Sequence, residues 1–215
     1  MKISVVRDIL EINERMARQN RELFDENGLL VMNLMSSPGA GKTTLLEKTI
    51  DALKDELSMG IIEGDIQSSA DAERIAAKEI PVVQINTGGA CHLDANMIRD
   101  TFGEFNFGHL DLLVVENVGN LVCPAEFKVG EDFKVMILSV TEGDDKPAKY
   151  PLMFHESKVL LINKTDLLPY VDCRVETIRE EALKINPKLS IFEVSCKTGE
   201  GLAAWFDWVR KMVKP

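Results

Sequence analysis

The chain has 215 residues, 45% hydrophobic and 28% charged, a composition that suits one packed α/β domain and argues against disorder over most of its length. Its 35 acidic and 25 basic side chains leave a formal charge of −10, which speaks against nucleic acid or an anionic membrane as the main partner, because either needs a broad Lys/Arg surface. No apolar stretch approaches the roughly 20 residues needed to span a bilayer and no signal peptide is evident, so a cytoplasmic chain is expected.

Residues 2–27 read as a helix with Val6, Ile9, Ile12, Met16 and Leu23 roughly on one stripe, ended by Asn27-Gly28. This predicts an N-terminal helical extension over 1–28 on a domain spanning 29–215. Strand-length apolar runs follow at Leu29–Met35, Met59–Ile62, Pro81–Ile85, Leu112–Val115, Val135–Val140, Val159–Ile162 and Ile191–Val194. Helical segments are expected at 43–57, 69–79, 92–101, 172–185 and 200–213. Continuous apolar strands alternating with helices imply a mostly parallel sheet covered on both faces. The expected fold class is therefore α/β, a three-layer P-loop NTPase arrangement plus the N-terminal helix.

After the first strand comes Ser36-Ser37-Pro38-Gly39-Ala40-Gly41-Lys42-Thr43-Thr44, opening a helix. Glycines let backbone N–H groups turn onto phosphate oxygens, and the helix N-terminus adds favourable partial charge. Gly39, Ala40, Gly41, Lys42, Thr43 and Thr44 are the expected phosphate contacts, with Lys42 reaching the β- and γ-phosphates and Thr43 ligating Mg²⁺. Ser36 stands where the motif has its first glycine; as a strand-to-loop residue it needs no positive φ.

The buried run Leu112–Val115 ends in Glu116-Asn117-Val118-Gly119. Glu116 is expected to act on Mg²⁺ through water, and the Gly119 amide to donate to a γ-phosphate. Asp65, at the end of the second strand, is the other candidate for Mg²⁺ and for positioning the attacking water, since ligands bind at the carboxyl edge of an open α/β sheet. Lys42, Asp65 and Glu116 are thus the expected catalytic groups.

Val159–Ile162 runs into Asn163-Lys164-Thr165-Asp166. The Asp166 carboxylate can accept from guanine N1–H and the exocyclic amine, which adenine does not present in that arrangement. Asn163 can tie base and loop together, and the Lys164 stem can lie over the purine. Ser195-Cys196-Lys197, after the last strand, would offer backbone N–H to the guanine O6. GTP and GDP are the expected nucleotides.

Of the four cysteines, Cys91, Cys123, Cys173 and Cys196, none forms a Cys-x-x-Cys pair, so they read as free thiols or metal ligands. Cys91-His92 stands at a predicted helix start, where a thiolate is favoured, and Cys123 lies four residues beyond Gly119. Thiolate and imidazole suit Zn²⁺, Ni²⁺ or Cu⁺. Neighbours on a helix point about 100° apart, so Cys91 and His92 share a metal only from the loop before the helix, or with two subunits contributing. A γ-phosphate that organises Gly119 would move Cys123 and so alter the metal site.

Together with Glu63-Gly64-Asp65, Gly88-Gly89-Ala90-Cys91-His92-Leu93, Glu116-Asn117-Val118-Gly119-Asn120-Leu121-Val122-Cys123-Pro124 and Thr141-Glu142-Gly143-Asp144-Asp145-Lys146-Pro147, the P-loop gives a sequence that resembles the hydrogenase nickel-incorporation GTPases of the HypB family over nearly the whole chain. The resemblance implies a GTPase that dimerises around nucleotide, with Ni²⁺ or Zn²⁺ on Cys91, His92 and Cys123 near the dimer interface; slow basal hydrolysis is expected as for unassisted P-loop GTPases. It also implies nickel delivery to the [NiFe]-hydrogenase large subunit with a zinc-binding accessory protein. Residues 1–28 hold neither Cys nor His, so the N-terminal cysteine motif and His-rich stretch of some members have no counterpart there. Alternatives are a urease-type or other metal-delivery GTPase and a non-catalytic metal reservoir, the latter disfavoured by only three histidines.

Overall fold

The structure, a computed structural model, describes residues 9–65 and 69–213. In chain order the main elements are α1 (Ile9–Glu26), β1 (Leu30–Ser36), α2 (Lys42–Leu53), β2 (Met59–Asp65), α3 (Ala70–Ala76), β3 (Val82–Asn86), α4 (Ala95–Asp100) and β4 (Leu112–Glu116). There follow α5 (Cys123–Glu126), β5 (Phe133–Ser139), α6 (Lys146–Lys149), α7 (Pro151–Glu156), β6 (Ser157–Asn163), α8 (Val175–Ile185), β7 (Ser190–Glu193) and α9 (Leu202–Val213).

All seven predicted strands form one sheet in the order β3-β2-β4-β1-β5-β6-β7, and every neighbouring pair is parallel. β1, β4 and β5 are buried along their whole or nearly whole length, as their unbroken apolar runs require. The edge strands β3 and β7 are only half-buried. One face is closed by Leu45, Leu46 and Ile50 of α2 with Trp205 and Val209 of α9. The other carries Ile178 and Ala182 of α8 with Met153 and Phe154 of α7, and a third cluster joins Phe24 of α1 to Ile98 of α4. No helix among the described residues is long and apolar enough to cross a membrane.

The expected apolar stripe on the first helix packs only in part: Leu23 lies against the Phe24 cluster and Met16 is half-buried. Ile9 and Ile12 are exposed, and the buried positions are Asn13, Ala17, Asn20 and Phe24; Val6 lies outside the described residues. The reason is polar. Asn20 Nδ2 donates to the Ala95 and Val129 carbonyls at 2.8 and 3.1 Å, and Asn13 both accepts from the Ala95 amide and donates to the Lys128 carbonyl. These two asparagines satisfy loop backbone that would otherwise be buried without partners. Helix α1 ends as expected, with Gly28 at φ 64 and its amide on the Asp25 carbonyl.

Helix α4 starts at Ala95, three residues later than the sequence suggested, because the Asp94 side chain caps it by accepting from the Met97 amide at 2.8 Å. Cys91 and His92 therefore lie in the preceding loop, so the argument that a helix N-terminus favours the Cys91 thiolate does not apply.

Candidate functional site

β1 delivers the chain into the phosphate loop between β4 and β5. Ser36, its last residue, is buried, and its hydroxyl accepts from Lys42 Nζ at 3.1 Å and donates to the Ser37 carbonyl at 2.6 Å. Ser36 is not among the positive-φ residues, whereas Gly39 and Gly41 turn the loop at φ 75 and 107. A Cβ on Gly41 would stand 2.5 Å from Asn163 Nδ2, so space as well as conformation demands glycine there. The loop faces a cleft of about 470 Å³ lined among others by Lys42, Thr43, Thr44, Glu63, Asp65, Glu116 and Gly119. Thr44, expected on phosphate, takes a hydrogen bond from Arg74 at 3.2 Å here.

Two carboxyls close the cation side. Glu63 pairs in register with Glu116 across β2 and β4, and both are buried. Thr43 Oγ1 donates to Glu116 Oε1 at 2.9 Å. Burial, then the charge and hydrogen bond of Glu116, push the Glu63 carboxyl up to about 10. Burial raises Glu116 as well, opposed mainly by Lys42. Oε2 of each glutamate is buried without a hydrogen-bond partner among the described residues. Two orphaned carboxyl oxygens beside a threonine hydroxyl form a hard-oxygen donor set that suits Mg²⁺. Asp65, one step along the same face of β2, groups with Glu63 and Asp71, their oxygens all within 4.8 Å of one another. Glu63 is not among the site residues expected from sequence; the two-residue period of a strand, which puts 63 and 65 on one face, is the signal that points to it.

The loops expected to read the base interlock with the phosphate loop. Asn163 Nδ2 donates to the Ala40 carbonyl at 2.9 Å, and its Oδ1 accepts from the Cys196 amide at 3.1 Å. Lys164, at φ 63, lays its ammonium on the Gly39 carbonyl at 2.7 Å. Asp166 Oδ1 accepts from Ser195 Oγ at 2.6 Å, and Ser195 Oγ in turn accepts from the Thr198 amide. Lys197 is exposed beside them. The Cys196 thiol is buried and raised to about 11 by that burial, which keeps it an inert core group.

Cys91, His92 and Cys123 come together within one chain, their ligand atoms all within 4.8 Å of one another. Cys91 Sγ lies 3.0 Å from Cys123 Sγ and 3.7 Å from His92 Nδ1. The loop position of Cys91 and His92 resolves the geometric objection to adjacent ligands. His92 stacks on Phe127 at 3.9 Å between ring centres, and burial lowers its pKa, favouring the neutral imidazole that binds metals. The Cys91 hydrogen bond, then burial, raise the Cys123 thiol. A metal would displace that shared proton. Cys173 lies elsewhere, packed near the α8 cluster.

A family model described as "CobW/HypB/UreG, nucleotide-binding domain" matches residues 30–193. The chain is 50% identical to a hydrogenase maturation factor HypB of Azotobacter chroococcum mcd 1 over 97% of this chain and 68% of that protein. Its structure resembles the crystal structure of HypB from Archaeoglobus fulgidus, with a TM-score of 0.89, 41% identity and coverage of 95% of this chain and 100% of that one. HypB from Helicobacter pylori, crystallised in complex with nickel, superposes with a TM-score of 0.89 at 38% identity, covering 94% of this chain and 95% of that one. Phosphate loop, carboxyl pair, the loops at Asn163 and Ser195 and the thiol–imidazole cluster all lie on one fold shared with these proteins, and the chain belongs to the HypB hydrogenase maturation factor family within the CobW/HypB/UreG nucleotide-binding group.

Proposed function

We propose that this chain is a GTP-hydrolysing nickel metallochaperone of the cytoplasm, in which the nucleotide governs an ion held by Cys91, His92 and Cys123. The observation that carries the reading is the placement of Cys123 four residues beyond Gly119, a residue packed directly on the phosphate loop. Nickel is the cargo; zinc fits the same soft donors. Three protein ligands leave a coordination position open, which suits transfer better than storage.

In the hydrolytic step, water attacks the γ-phosphate in line while Lys42 neutralises charge on the β- and γ-oxygens. Thr43, Glu116 and Glu63 would hold Mg²⁺, which supplies further charge neutralisation across the phosphates. Asp65, at the end of β2, would orient the water. Asp166 selects guanine, with Asn163 bracing the base loop on the phosphate loop. The Gly119 amide donates to the γ-phosphate. Basal turnover should be slow, on the order of 10⁻⁴ s⁻¹ as for unassisted P-loop GTPases. The partners proposed are a second copy in a GTP-dependent dimer, a zinc-binding nickel accessory protein and the hydrogenase large-subunit precursor, as the family membership suggests.

Titration with Ni²⁺ in the presence of GDP tests the cargo site. About one tight equivalent per chain, lost in Cys91→Ala with GDP binding kept, supports the reading. Many equivalents per chain, or intact affinity in Cys91→Ala, contradict it.

A further inference from the structure

The segment after β4 touches the metal loop at more than Cys123. Asn117 is fully buried, and its backbone amide is fixed to the Leu34 carbonyl of β1 at 2.9 Å. Its Nδ2 donates to Asn33 Oδ1 at 3.1 Å, and its Oδ1 accepts from the Val118 amide and from the Leu93 amide, each at 3.0 Å. Asn120 Nδ2 donates to the Cys91 carbonyl at 3.3 Å, and Asn120 Oδ1 accepts from the Val122 amide at 2.8 Å. The Asn120 side chain also hydrogen-bonds the Cys123 thiol. The two asparagines flank Val118-Gly119 and hold the backbone on both sides of His92.

The phosphate end of this connection is equally tight. A Cβ on Gly119 would stand 2.9 Å from Pro38 Cα and N, so Gly119 rests on the phosphate loop with no room between. Leu93, the residue after His92, is fully buried against Gly64, where a Cβ would come within 2.7 Å of the leucine side chain. Gly64 lies between Glu63 and Asp65, the carboxylates of the cation side. The backbone next to His92 is thus pinned from two sides by the elements that would hold phosphate and magnesium.

Resting on the proposed nucleotide control of the cargo site, we infer that Asn117 and Asn120 are the positioning residues that couple nucleotide state to the metal ligands, through the Leu93 amide, the Cys91 carbonyl and the Cys123 thiol. Asn117 is anchored to β1, so a shift of Gly119 away from or toward the phosphate loop displaces Asn120, one residue on, relative to Asn117. The Asn120 hydrogen bonds then move Cys91 and Cys123 while Asn117 holds the Leu93 amide, changing the ligand set around His92. Such a rigid linkage gives a coupling free energy between two sites, and it must be reciprocal.

The test is a thermodynamic cycle. Ni²⁺ affinity is measured with GDP and with a non-hydrolysable GTP analogue, and the affinity ratio of the two nucleotides is measured with and without Ni²⁺. In the wild type both ratios should change by the same factor, about fivefold or more. In Asn120→Ala, a half-buried position outside the nucleotide cleft, the factor should fall below about twofold, with one Ni²⁺ per chain still bound and the basal GTPase rate unchanged. Asn117→Ala should lower the factor likewise. A wild-type factor of one defeats the nucleotide control itself. A wild-type factor kept in Asn120→Ala, or loss of Ni²⁺ from that variant in both nucleotide states, overturns the coupling role alone.

Discussion

The carboxyls of Glu63 and Glu116 face each other from adjacent registered positions on β2 and β4, both buried, both raised above the ordinary carboxylate range, and each with one oxygen lacking a partner among the described residues. Two buried carboxyls on facing positions resist joint ionisation, because each negative charge disfavours the other. The pair fits the proposed magnesium site, where a cation would relieve this repulsion.

This pair gives the apoprotein a defined pH dependence. With Glu63 raised from 4.5 to about 10, the folded state holds a proton that the unfolded chain has released, so this contribution to stability is lost as pH rises from about 4.5 through about 10. The slope has an upper limit of about 1.4 kcal/mol per pH unit for one proton. In Glu63→Gln the neutral amide removes that titration. Thermal unfolding between pH 5 and 9 without Mg²⁺ or nucleotide is expected to show a melting temperature that falls less with pH in Glu63→Gln than in the wild type. Equal slopes would mean that Glu63 is ionised in the fold.

Lys42→Ala removes the ammonium at the start of α2, which rests on Ser36 Oγ inside the phosphate loop. Loss of GTP hydrolysis to below a hundredth of the wild-type rate is expected, an effect of about 3 kcal/mol on the barrier. Phosphate release at the wild-type rate would remove the loop from the chemistry.

Asp166→Asn replaces the carboxylate that Ser195 orients with a group whose amide half would face guanine N–H donors. Guanine nucleotide affinity should fall by more than tenfold, about 1.4 kcal/mol or more. Competition binding of GDP and xanthosine diphosphate measures it, since xanthine carries a carbonyl where guanine has its amine. An unchanged GDP affinity contradicts base reading by Asp166.

Gly41→Ala should break the link between base and phosphate loops. Its φ of 107 is strained for any Cβ, and the new methyl would strike Asn163 Nδ2, the donor to the Ala40 carbonyl. Nucleotide affinity is expected to drop at least tenfold while the fold persists, as read by calorimetry and by circular dichroism. Wild-type affinity would show that Asn163 can yield without consequence.

What the sequence made legible follows from whether a feature is local. The seven strands were visible because each is a continuous apolar run, and the phosphate and base loops because their residues are contiguous, from Gly39 to Thr44 and from Asn163 to Asp166. The packed face of α1 was not visible, because its buried positions include Asn13 and Asn20, whose partners at Ala95, Lys128 and Val129 are more than seventy residues away. The start of α4 was misplaced because Asp94, not Cys91, is the cap; the aspartate three residues before Met97 was the usable signal. Glu63 was obscured by its neighbour Asp65, since only the pairing of β2 with β4 sets it against Glu116. The short helices α5, α6 and α7, each with proline in its first turn, are too brief to carry an apolar period.

The central claim is that a terminal phosphate on the P-loop alters how firmly Cys91, His92 and Cys123 hold an ion. Its most direct test is the dissociation rate of Ni²⁺ from the wild-type protein, followed by transfer to an excess of a chromogenic chelator, with GDP bound and with a non-hydrolysable GTP analogue bound. The account predicts rates that differ by about fivefold or more. Identical rates in the two states would contradict it.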